Sequence, residues 1–105
     1  MYVLKMSYPA ASQRLKKLAS FREGGDTVHE VGTAFLKRGT RMPDHGASRH
    51  CRREVSFILE GRLRTTSGGK TVTLGPGDVV SIPKGQAQYS EVLADTRLIY
   101  VFLGE

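Results

Sequence analysis

The sequence holds a single cysteine, Cys51, among its 105 residues. A lone thiol excludes an internal disulfide and fits a reducing compartment such as the cytoplasm. No apolar run approaches the roughly 18 residues that a membrane-crossing helix needs, so no membrane partner is expected. The start, Met1-Tyr2-Val3-Leu4-Lys5, lacks the apolar stretch and cleavage site of a secretory signal. Internal repeats and low-complexity tracts are also missing. Helical signal is scarce: only Pro9 to Leu18 resembles a helix, with proline at a first turn and Leu15 and Leu18 three apart. The same stretch reads equally well as an extended arm. Without a recognition helix, or aromatics interleaved with basic residues, nucleic acid is not an expected partner.

Positive charge is plentiful. Sixteen basic side chains against ten acidic ones leave a formal charge of +6. Ten of the sixteen are arginine, and Arg38, Arg41, Arg49, Arg52, Arg53, Arg62 and Arg64 fall within one stretch. The bland reading of such a run is a solvated surface. The functional one is a concave site for a carboxylate or phosphate, which the arginine fork binds in its plane.

The rest of the pattern is β. Short segments with strand character recur between turn signals: Val28 to Lys37, Glu54 to Leu59, Arg62 to Thr66, Lys70 to Leu74, Val79 to Ile82, Ala87 to Val92 and Arg97 to Leu103. Met1 to Met6 is a candidate edge strand, and Glu23-Gly24-Gly25-Asp26 a turn or linker. Gly68-Gly69 predicts a two-residue hairpin, because both loop positions require φ > 0. Gly75-Pro76-Gly77-Asp78 predicts a tight turn, with proline second and glycine third. Regularly spaced short strands argue for an all-β sandwich or barrel. We divide the chain into an N-terminal arm, residues 1–25, and one barrel domain, residues 26–105. Period-2 alternation puts Glu54, Ser56 and Ile58 on the inward face. Val55, Phe57 and Leu59 then form an apolar outer face that something must cover, which predicts a homodimer.

Three spacings carry a resemblance. Gly39 to His45 reads glycine, five residues, histidine. Glu54 to Gly61 reads glutamate, six residues, glycine. Gly77 to Gly85 reads glycine, five residues, proline, one residue, glycine. Over about residues 33–103 the chain resembles the cupin superfamily, small jelly-roll barrels of two antiparallel sheets that often hold a metal. The half from Leu59-Glu60-Gly61 onward is also similar to the cupin domain of ethanolamine-utilisation proteins.

The resemblance implies a candidate ion-binding set of His45, His50, Glu54 and Gln88. The first motif is too long between His45 and Glu54 by two or three residues, and Gln88 stands where the family usually has histidine. Two imidazoles, a carboxylate and an amide oxygen would suit one Fe, Mn, Ni or Zn ion. Without the metal, His50 and Glu54 would hydrogen-bond each other or a ligand. Arg41, Arg52 and Tyr100 are the candidate ligand-binding residues around a small, anionic or sugar-like molecule. The implied activities are isomerase, lyase or dioxygenase chemistry, or alternatively metal-free binding or assembly.

Overall fold

A computed structural model describes residues 1–23 and 26–104. Seven strands form in chain order: β1 Leu15–Glu23, β2 Asp26–Leu36, β3 Arg41–Met42, β4 Arg53–Ser67, β5 Lys70–Leu74, β6 Val79–Ile82 and β7 Gln88–Leu103. Every pairing is antiparallel, and no helix forms among the described residues.

The architecture hangs on the two longest strands. β4 and β7 pair from Arg53↔Leu103 to Ser67↔Gln88. Each runs through both sheets of the barrel. β6 lies on the first half of β4 and β5 on its second half. β2 lies on the second half of β7 and β3 on its first half. One layer is therefore β1-β2-β7-β4-β6 and the other β3-β7-β4-β5. The strands turn the corner where the β4–β7 register shifts, between Ile58 and Leu63. Such irregularities bend a strand and increase its twist. Gly61 sits at this corner with φ 99, and a Cβ there would overlap the Asp95 carbonyl and Thr96.

This continuity corrects the strand reading. Glu54–Leu59 and Arg62–Thr66 are one strand, as are Ala87–Val92 and Arg97–Leu103. Gly61 bends the chain without ending its pairing. The hairpin signal and the tight-turn signal behave as expected. Gly68 and Gly69 both take positive φ, 57 and 75. At the tight turn, the Asp78 amide donates to the Gly75 carbonyl at 3.0 Å, and Gly77 has φ 88.

The N-terminal segment departs most from expectation. Pro9 to Leu18 forms no helix: a turn at residues 11–13 leads into β1, which pairs with β2. Met1 to Met6 joins no strand. Helix propensity was overruled by an available sheet edge, since a short helix has too few internal bonds to stand without packing. The turn or linker expected at Glu23-Gly24-Gly25-Asp26 falls on Gly24 and Gly25, outside the described residues. Residues before β1 are tied down through Ser7: its carbonyl accepts from Thr33 Oγ1 at 2.5 Å and its hydroxyl from Lys16 Nζ at 2.7 Å.

The core lines the barrel. Ala34, Leu36, Ile58, Leu63, Leu74, Val92, Leu98 and Tyr100 form one buried cluster. Ser56 and Ile58 are buried, at 4% and 1% exposure, whereas Phe57 and Leu59 are 39% and 41% exposed. The alternation therefore sorts the two faces of β4 as the period-2 reading requires.

Candidate functional site

A cavity of about 230 Å³ opens between the two sheets. Its floor is aliphatic, from Leu36, Ile58, Leu63, Leu74 and Leu98. One side is polar, with Ser48, His50, Glu54, Ser56, Gln88 and Ser90. Glu54 and Ser56 come from β4, and Gln88 from the first position of β7. His50 is delivered by the loop before β4. That loop is pinned to β7 by reciprocal backbone bonds between Ser48 and Gln88, both 2.9 Å. The Gly85 amide donates to the His50 carbonyl at 2.9 Å. These bonds place His50 beside Gln88, 38 positions apart in sequence.

Glu54 is the hub. Gln88 Nε2 donates to its Oε1 at 3.3 Å, and Ser56 Oγ donates to its Oε2 at 3.1 Å. His50 Nε2 lies 3.3 Å from the same Oε1, with Glu54 the more enclosed of the two side chains. The His50 ring also packs on Phe102, centroids 4.8 Å apart. The hydrogen bond to Glu54 raises the His50 pKa above its ordinary 6.5, and the carboxylate charge adds to this against partial burial, which pulls the other way.

Tyr100 lines the cavity through its ring, but its hydroxyl turns away and donates to Glu30 Oε2 on β2 at 2.5 Å. Burial first, and then this bond, push its pKa well above 10. A phenol held so firmly protonated serves as a wall and strut.

Of the four candidate ion ligands, three converge and one does not. His50, Glu54 and Gln88 meet at the polar end. His45 is exposed and takes no part in the cavity lining. Its neighbour Asp44 is bound by Arg14 Nη2 at 2.8 Å, which holds the loop against the outside of the barrel. The sequence spacing permitted a loop that brought both histidines inward; in the structure His45 stays exposed and only His50 lines the cavity.

The arginines also depart from expectation: among the described residues none lines the cavity. Arg41 lies over the Tyr89 ring, 4.6 Å from its centroid, and donates to the Pro43 carbonyl at 2.8 Å. Arg52 Nη1 contacts Cys51 Sγ at 3.2 Å, and its buried Nε has no partner. Arg49 donates to the Gly85 carbonyl and Arg53 to Ser81 Oγ. Their stems start on outward positions or loop tips, so their heads reach backbone and solvent.

As arranged, the converging residues do not fit a resident transition ion. Gln88 turns its amide nitrogen, a donor, toward the carboxylate, because an ionised carboxylate only accepts. No group of three His, Cys, Asp or Glu side chains with ligand geometry occurs among the described residues. Two positions in this site escaped the sequence reading. Ser56 was placed on the inward face but not recognised as a Glu54 partner, although i,i+2 neighbours on a strand share a face. Glu30, 70 positions from Tyr100, left no local signal.

Antiparallel strands closing around a cavity define an all-β jelly-roll barrel. The chain matches the family model of the cupin domain over residues 32–103, and it belongs to the cupin family. No curated protein matches it. A structure of unknown function from Rhizobium leguminosarum bv. viciae 3841 aligns with TM-score 0.68 and 26% identity, over 97% of this chain and 97% of that one. A predicted oxalate decarboxylase from Thermotoga maritima aligns with TM-score 0.63 and 23% identity, over 72% of this chain and 66% of that one. The EutQ protein of Clostridium difficile aligns with TM-score 0.59 and 22% identity, over 73% and 68%. The last agrees with the likeness to ethanolamine-utilisation cupins. At these identities the likeness shows the fold.

Proposed function

We propose that the chain is a metal-free cupin that binds a small molecule in its barrel, with Glu54 as the polar anchor. One observation carries this reading. The Glu54 carboxylate is already satisfied by protein donors, Gln88 and Ser56, with His50 Nε2 alongside. A buried-side carboxylate so supported is stable without an ion. His50 supplies the means for acid–base chemistry: with Nε2 turned to Glu54, Nδ1 is the nitrogen left for a ligand proton. That arrangement is compatible with isomerase or lyase chemistry on the bound molecule. Protein purified with neither added metal nor chelator should contain only trace Fe, Mn, Ni and Zn. Stoichiometric metal would overturn the reading.

The second reading is a metal-dependent enzyme with one of those four ions held by Glu54, His50 and Gln88. It is favoured by the convergence of an imidazole and an amide on one carboxylate oxygen, each at 3.3 Å. It requires the Gln88 amide to turn its oxygen inward. The T. maritima relative is described as a predicted oxalate decarboxylase, and this likeness of fold supports enzymatic chemistry only in outline.

The reading includes a homodimer in a compartment that keeps Cys51 reduced, such as the cytoplasm. Phe57, Leu59 and Val79 are 39%, 41% and 57% exposed on the outer face of β4 and β6. Phe57 pairs with Val79 in register, so these side chains form a contiguous apolar patch. Two-fold pairing is the commonest way to cover such a patch. Among the described residues no helix is long and apolar enough to cross a membrane.

A further inference from the structure

We infer that the barrel selects a compact molecule with an apolar body and one hydrogen-bond-donating head group, uncharged or cationic, over an anion of the same size. This rests on the ligand-binding reading above and specifies its ligand.

The net charge of the chain points the other way, at +6. The local charge decides. Glu54 places a carboxylate in the cavity lining, with the His50 imidazole beside it. Among the described residues no arginine or lysine lines the cavity. An anion entering it therefore meets a carboxylate and no guanidinium or ammonium group. The arginines that would favour one stand outside the cavity lining: Arg41 donates to Pro43, Arg49 to Gly85, Arg53 to Ser81 and Arg52 to Cys51. Their charges act through solvent, where screening sets in over about 8 Å at physiological salt.

Hydrogen bonding agrees. An ionised carboxylate has about four acceptor positions. Gln88, Ser56 and His50 occupy three, so a donor from the ligand completes the set. An anionic head would instead place acceptors against an acceptor. The body of the ligand meets Leu36, Leu63, Leu74 and Leu98, which offer no hydrogen bond. The cavity, about 230 Å³, exceeds the roughly 150 Å³ of an apolar cavity that admits benzene. A single ring with a one-carbon head therefore fits.

Four matched probes test the inference by calorimetry on the wild-type chain: toluene, benzyl alcohol, benzylamine and benzoate. Toluene reads the floor alone. Benzyl alcohol and benzylamine are expected to bind at least about tenfold tighter than toluene, a difference of ~1.4 kcal/mol. Benzoate is expected to bind more weakly than toluene. In Glu54→Gln the amine should fall to the affinity of toluene. Benzoate binding at or above the level of toluene would overturn the inference and leave the pocket reading standing. So would amine preference that survives Glu54→Gln. Benzoate binding that appears only with added Zn or Fe would overturn it in favour of the metal reading. If no probe binds, toluene included, the pocket reading itself falls and the inference with it. The wild-type series decides even if the variant fails to fold.

Discussion

Gly32 on β2 lies directly beneath the ring of Tyr100 on β7. The two are register partners, and a Cβ on Gly32 would overlap both the Tyr100 hydroxyl and the Lys16 carbonyl of β1. Gly32 has no positive φ, so space is the reason for glycine here. The missing side chain lets the Tyr100 ring lie flat on the sheet as a cavity wall, with its hydroxyl reaching Glu30.

Gly32→Ala is therefore expected to destabilise the fold by ~1–3 kcal/mol, the range for overpacking a close-packed site. Urea denaturation should show a lower midpoint with an unchanged slope. Adding Tyr100→Phe should recover little of the loss, because the ring carbon Cζ, which the added Cβ would also overlap, stays in place. The clash with Lys16 would remain.

The pH response follows from His50 and Glu54. Their hydrogen bond raises the folded-state pKa of His50 above 6.5. Protonated His50 thus favours the folded state. This contribution is fully present below the unfolded value, about 6.5, and is lost as pH rises through the higher folded value. An NMR titration of the imidazole should give a midpoint above that of a free histidine. Glu54→Gln should lower it. A wild-type midpoint at or below 6.5 would show that the pair is not formed in solution.

Metal chemistry is tested by restoring what the site lacks. Gln88→His would add a second imidazole beside His50 and Glu54. It should confer measurable Zn or Ni binding by calorimetry, because imidazole is a better donor to these ions than an amide. Adding Glu54→Ala to that variant should weaken the binding by about tenfold or more. His45→Ala should leave it unaffected, since His45 stands outside the cavity. If Gln88→His gains no affinity, the three side chains do not approach one point closely enough to share an ion.

Assembly is tested at Phe57. Light scattering at micromolar concentration should give the mass of two chains. Phe57→Glu should give the mass of one, by placing a charge in the middle of the apolar face. A wild-type mass of one chain would mean that Phe57, Leu59 and Val79 remain in water.

Much of the barrel was legible because its signals are local. Gly68-Gly69 and Gly75-Pro76-Gly77-Asp78 mark turns through their own allowed φ values, whatever surrounds them. The alternation of β4 identified Glu54, Ser56 and Ile58 as inward because strand geometry alone fixes which side chains share a face. Where the signal depended on partners, it failed. β1 was read as helix or arm because its pattern is weak without β2 beside it. Gly61 and the stretch between Val92 and Arg97 were read as breaks between strands because a bend that keeps its ladder bonds looks, in one dimension, like a stop.

The sequence by itself determined the fold class, the turn positions and the inward face that carries Glu54, since each depends on residues within a few positions of one another. Only the tertiary structure decided what Glu54 meets. Gln88 comes to it from 34 positions away. His50 arrives because backbone bonds from Ser48 and Gly85 hold its loop, while His45 stays exposed outside the cavity. The fate of the arginines was settled the same way. Charge counted along the chain predicted an anion site, but direction is set by the strand or loop a side chain leaves from and by the groups its head can reach. In the folded barrel those groups lie outside, and among the described residues Glu54 is the carboxylate that lines the cavity.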